Sequence, residues 1–72
     1  MKTNEIKTFN CNINNDDYYS IKVVGLVDGE DETIVTLDID IAEDTHGNKY
    51  ELIGGEFDEE TEQYTKITLK KI

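Results

Sequence analysis

Apolar side chains fall at every second position over most of this chain, and short polar clusters interrupt them at regular intervals. The clusters are NNDD at 14–17, DGEDE at 28–32, DTHGN at 44–48 and DEETE at 58–62. Each contains turn-forming Asn, Asp or Gly, or is dense in charge. A period of two is the pattern of a strand with one face buried. Connections this short join antiparallel neighbours, because parallel strands need long crossovers.

Five strand segments follow. In the first, Ile6 to Ile13, Phe9, Cys11 and Ile13 share a face opposite Thr8, Asn10 and Asn12. The second, Tyr18 to Val27, is apolar on both faces and reads as the central strand, with Gly25 marking a bulge or bend. The third, Thr33 to Ala42, alternates most cleanly: Val35, Leu37, Ile39 and Ile41 inward, Thr36, Asp38 and Asp40 outward. A slip of one residue would bury both aspartates, so this register is strongly specified. The fourth, Lys49 to Phe57, contains Gly54-Gly55, the signal of a bulge or a sharp bend. The fifth, Gln63 to Lys71, sets Thr65, Ile67 and Leu69 against Lys66, Thr68 and Lys70, and lysines on a terminal strand discourage edge pairing. The expected fold is all-β: a five-stranded antiparallel meander, curled at its glycines into a small SH3-like or OB-like barrel. EFDEETEQY at 56–64 also contains good helix formers, which leaves a choice there between a hairpin and a short helix.

Seventy-two residues make one small β domain, 1–72. Such a chain buries only about 60% of the surface it exposes when unfolded. A deep pocket with supporting residues is hard to build at this size, which weighs against an enzyme. A secreted domain this small is usually stapled by disulfides or metal, and one cysteine allows no internal disulfide. The N-terminal MKTNEIKTFN lacks the apolar core of a signal peptide. No apolar run approaches the roughly 20 residues of a membrane span. These features lead to an expectation of a cytoplasmic protein.

The net charge is −10, and its distribution matters more than its size. Fourteen of the acids lie between Val23 and Thr65, where Lys49 is the only base. Binding DNA requires lysine or arginine to neutralise phosphates, so neither nucleic acid nor an anionic membrane is an expected partner. A basic protein is.

The residues offer little catalytic chemistry. Asp38 and Asp40 would stand roughly 6.6 Å apart on one strand face, but an outward face supplies no apolar pocket to hold one carboxyl protonated. DIDIAED offers hard oxygen ligands of the kind calcium or magnesium prefers, yet DGEDE places its glycine immediately after the first aspartate and fails the EF-hand pattern. One His and one Cys cannot make a zinc site. Ser20 lacks a nucleophile elbow, Cys11 reads as a small buried hydrophobe, and His46 reads as a turn residue beside a left-handed Gly47. No metal or cofactor is expected.

The remaining puzzle is TLDIDIAED at 36–44, where one face holds two like charges and more acid follows. Like charges on neighbouring sheet positions are mildly destabilising, and threonine or lysine would give solubility without that cost. A rigid row of carboxylates would instead present charge spaced somewhat like nucleic-acid phosphates. In size, charge and charge segregation the chain resembles small acidic DNA-mimic inhibitors, such as phage anti-restriction and anti-CRISPR proteins. That resemblance implies a non-enzymatic inhibitor of a basic nucleic-acid-binding protein. The expected partner-binding residues are Asp38, Asp40, Glu43, Asp44, Glu51, Asp58, Glu59 and Glu60. The alternatives are a small structural or assembly protein, forming homo-oligomers through an exposed edge strand, and an accessory subunit.

Overall fold

A computed structural model describes residues 1–12 and 20–72. They form six strands and no helix: β1 (Ile6–Asn12), β2 (Ser20–Val24), β3 (Glu32–Asp38), β4 (Ile41–Asp44), β5 (Lys49–Asp58) and β6 (Gln63–Lys71). Every strand pairs antiparallel with its neighbours in sequence, and β6 pairs with β1 to close an up-and-down barrel. The all-β class, the antiparallel meander and the barrel all match expectation. The strand count does not. The NNDD cluster, Ile13, Tyr18 and Tyr19 lie outside the described residues.

The extra strand comes from the segment with the clearest alternation. Residues 33–42 are not one strand: the chain reverses at Ile39-Asp40, and Asp38 faces Ile41 across a two-residue turn. Ile39, expected inside, stands at φ +56° with 92% of its surface exposed. The reversal also inverts the alternation. Val35 and Leu37 face inward before the turn, opposite Asp44 and Ala42 after it, while Ile41 and Glu43 face out. No glycine or asparagine announces this turn. It is tied instead from across the sheet, where the Leu52 amide donates to the Asp40 carbonyl at 2.7 Å.

The other elements follow their residues closely. β1 points Phe9 inward and Thr8 outward, where the Thr8 and Thr68 hydroxyls meet at 2.8 Å. β2 is shorter than its apolar stretch suggested. It ends at Val24, and Gly25 turns the chain at φ +73° instead of bulging within a strand, sending Leu26 back into the core. β5 carries register shifts between Leu52 and Gly54 and between Glu56 and Phe57. A Cβ on Gly55 would lie 2.4 Å from the Lys66 carbonyl oxygen, so only glycine permits so close an approach of the two backbones. The 56–64 stretch is the tip of the β5–β6 hairpin and not a helix.

Every strand contributes to one core, whose largest fully buried side chains are Val23, Val35, Ile67 and Leu69. Burying such side chains stabilises by about 1.5–3 kcal/mol each. Closure also corrects the expectation of a terminal edge, because Ile6–Asn10 of β1 occupies the side of β6 that would otherwise lie open.

Ile39 provides a test of the reversal. A non-glycine residue in the left-handed region costs roughly 1–2 kcal/mol, and glycine returns about 0.5–1 kcal/mol of that through its looser unfolded chain. Ile39→Gly is therefore expected to raise stability by about 0.5–1 kcal/mol in urea unfolding. A loss of about 2–5 kcal/mol, as for a truncated core isoleucine, would mean that Ile39 is buried in a continuous strand.

Candidate protein-binding surface

In an up-and-down barrel, successive connections alternate between the two ends. The turns at 39–40 and 59–62 therefore belong to one end, and the 25–31 loop, the 45–48 turn and both termini belong to the other. The eight expected partner-binding residues divide among three environments.

Five reach the first end. Asp38 closes β3 and Asp40 sits in the turn after it. Asp58 ends β5, where its Oδ1 accepts the Glu60 amide at 2.9 Å and shapes the tip, while Glu59 and Glu60 lie exposed in the turn. Glu62, not among the eight expected residues, belongs with them at φ +56°. The segments 38–41 and 58–63 contain no lysine. The straight two-residue ladder expected of Asp38 and Asp40 is not there, because the second aspartate is in the turn.

Two lie on the barrel wall beside lysines. Glu43 stands opposite Lys49, and Glu51 stands opposite Lys70. Glu56 has the same relation to Lys66. The wall is therefore a mixed-charge surface. Asp38, Glu43 and Lys49 also share an open depression of about 310 Å³ with Thr36 and Ile41.

Asp44 is the correction. It is 4% exposed and cannot meet a partner. The inverted alternation of β4 turns it inward, and four donors meet it there: the His46 amide at 2.9 Å, the Asn48 amide at 3.0 Å, Asn48 Nδ2 at 3.1 Å and the Tyr50 hydroxyl at 2.8 Å. Burial pushes this carboxyl up, but the hydrogen bonds from Tyr50, Asn48 and His46 outweigh it and hold it below the ordinary aspartate value. The same contact serves Tyr50. Burial first, then the Asp44 hydrogen bond and charge, raise that phenol well above its usual range. Lys71 lies 5.7 Å from the Tyr50 ring centre, over its face. The DTHGN stretch thus serves as a turn whose first residue collects its loose amides, with Gly47 at φ +87° as expected.

His46, a turn residue as its sequence context suggested, also reaches Glu30 in the 25–31 loop, with Nε2 2.7 Å from Oε1. The hydrogen bond and then the charge of Glu30 raise the imidazole above its ordinary value; slight desolvation opposes this and Asp44 adds to it. Nothing in the local sequence joins residues 30 and 46, so this contact was not legible. Cys11 is half-buried, and burial pushes its thiol up to about 11, which suppresses the reactive thiolate. Among the described residues, no three His, Cys, Asp or Glu side chains gather as a metal would require, and no helix is long and apolar enough to cross a membrane.

No family model, no curated protein and no solved structure matches this chain.

Two predictions come from this end of the barrel. Asp44→Ala strands the Tyr50 hydroxyl and the turn amides, and is expected to cost about 2–4 kcal/mol in denaturant unfolding; a cost under about 0.5 kcal/mol would contradict the buried cluster. The raised His46 value means that its stabilisation is complete below the unfolded value of about 6.5 and disappears as pH rises through the folded value. The stability difference between the parent and His46→Gln should shrink as pH rises from 5.5 through the folded value. A difference independent of pH would remove the Glu30 contact from the account.

Proposed function

We propose that this protein is a non-enzymatic acidic module that binds a basic, nucleic-acid-binding protein through the end of the barrel bearing the β3–β4 and β5–β6 turns. One observation carries the reading: those turns present Asp38, Asp40, Asp58, Glu59, Glu60 and Glu62 without an intervening base, whereas acids on the wall face lysines. A unipolar field from turns on a closed barrel steers a cationic partner and speeds encounter. Nucleic-acid mimicry is the most specific form of the proposal. It now draws support from charge gathered in turns, since the straight carboxylate ladder is absent. Glu43 and Glu51 have a lesser role in this reading, and Asp44 none.

The assembly alternative loses the terminal strand as its edge, because Ile6–Asn10 of β1 pairs with β6. The acidic reading predicts that immobilised protein enriches basic nucleic-acid-binding proteins from lysate, and that added DNA or moderate salt releases them. Asp38→Lys/Asp40→Lys should cut recovery roughly tenfold or more while leaving the fold intact. Recovery of neutral proteins indifferent to salt and DNA, or full recovery by the charge-reversed protein, would overturn the proposal.

A further inference from the structure

Barrel closure pairs Lys66–Lys70 of β6 with β1, but among the described residues some stretches of edge have no strand beside them, and the outer edge of β5 is one. β4 is four residues long and pairs with β5 only at Lys49, Tyr50 and Glu51. The Leu52 amide then reaches Asp40, at the turn. From Ile53 to Asp58, β5 continues beside β6 alone, and no described strand pairs with its other edge. Alternate backbone N–H and C=O groups along such an edge are free to pair with another chain.

Three further features bear on what can occupy it. Ile53 and Phe57 are about half exposed, at 49% and 46%, and Phe57 is held by stacking on Tyr64 at 5.1 Å. Gly54 and Gly55 carry no side chain between them, which leaves the backbone approachable. Residues 50–65 contain six acids and no base. Natural edges are commonly protected by lysine, proline, a bulge or an inward charge; this one has no lysine or proline, and its protection is the register shift at Ile53 and the acids Glu56 and Asp58.

We propose that the outer edge of β5, Ile53 to Asp58, accepts an extended lysine- or arginine-bearing segment of a partner protein as an added strand. Charge selects this occupant over a second copy of the chain. A β5–β5 pair would bring Glu56 and Asp58 against their counterparts in molecules each carrying −10, whereas a basic strand sets cations beside them. Main-chain hydrogen bonds would provide the affinity, with Ile53 and Phe57 receiving apolar side chains at alternate positions. The inference rests on the acidic-module reading and gives that module a mode of recognition.

The test uses the intact protein and three synthetic peptides: Ac-KVKVKVK-NH2, its proline-interrupted form Ac-KVKPKVK-NH2, and the acidic Ac-EVEVEVE-NH2. Amide shifts and hydrogen exchange are followed by NMR, and self-association by sedimentation. The expected result is binding of the first peptide with slowed exchange confined to the 53–58 amides, roughly tenfold weaker binding of the proline form, and no binding of the acidic one. Equal binding of both basic peptides, with shifts at 38–41 and 58–63 and no protection of 53–58, would overturn the added strand while leaving the acidic module standing. Failure of both basic peptides to bind at low salt would overturn both. Protection of the same amides in the protein alone, with sedimentation as a dimer, would assign the edge to a second copy and overturn the choice of partner.

Discussion

The reversal at Ile39-Asp40 determines the rest of this molecule. A ten-residue segment that alternates from Val35 to Ile41 is divided into two strands, and a closed six-stranded barrel results. The turn inverts which residues face the core, so Ala42 and Asp44 become internal while Ile41 and Glu43 become external. A buried aspartate must then be supplied with donors, and the 45–48 turn and Tyr50 supply them. Among the described residues, no buried side-chain nitrogen or oxygen lacks a partner. The reversal leaves Ile39 in an unfavourable backbone region, so the energy that holds it must come from elsewhere: the Val35, Ala42, Ile67 and Leu69 packing and the Leu52–Asp40 hydrogen bond.

The same reversal sorts the charge. On the wall, register places Glu43, Glu51 and Glu56 opposite Lys49, Lys70 and Lys66. The segments 38–41 and 58–63, which form the described turns of one end, contain no lysine. At the other end, Glu30 engages His46, Asp44 is internal, and Glu5 accepts the Lys2 amide at 2.9 Å. The chain's negative charge is therefore neither uniformly spread nor gathered on a flat sheet. Six acids lie in or beside the β3–β4 and β5–β6 turns, and Asp28, Glu30 and Asp31 lie in the 25–31 loop at the other end.

Much of this was legible. Alternation in β1 and β6, a bulge beside Gly54 and the DTHGN turn were readable because each is written locally, in period or in turn chemistry. Ile39 was misread because its turn lacks glycine or asparagine and continues a strand's alternation; its anchor, the Leu52 amide, is distant in sequence. Asp44 followed from that error, since its inward orientation depends on the inversion. The Glu30–His46 contact joins two loops brought together by closure, and no local pattern encodes such a meeting.

The most direct measurement is a set of interproton contacts in solution across residues 36–43. The account predicts backbone contacts between Leu37 and Ala42 and between Thr36 and Glu43, as opposed residues of antiparallel strands lie roughly 4.5–5.5 Å apart. A continuous strand would separate Leu37 from Ala42 by roughly 16 Å and show no contact. Absence of these contacts, with Ile39 protons instead close to core side chains such as Val35 or Leu69, would contradict the reversal and the barrel built on it.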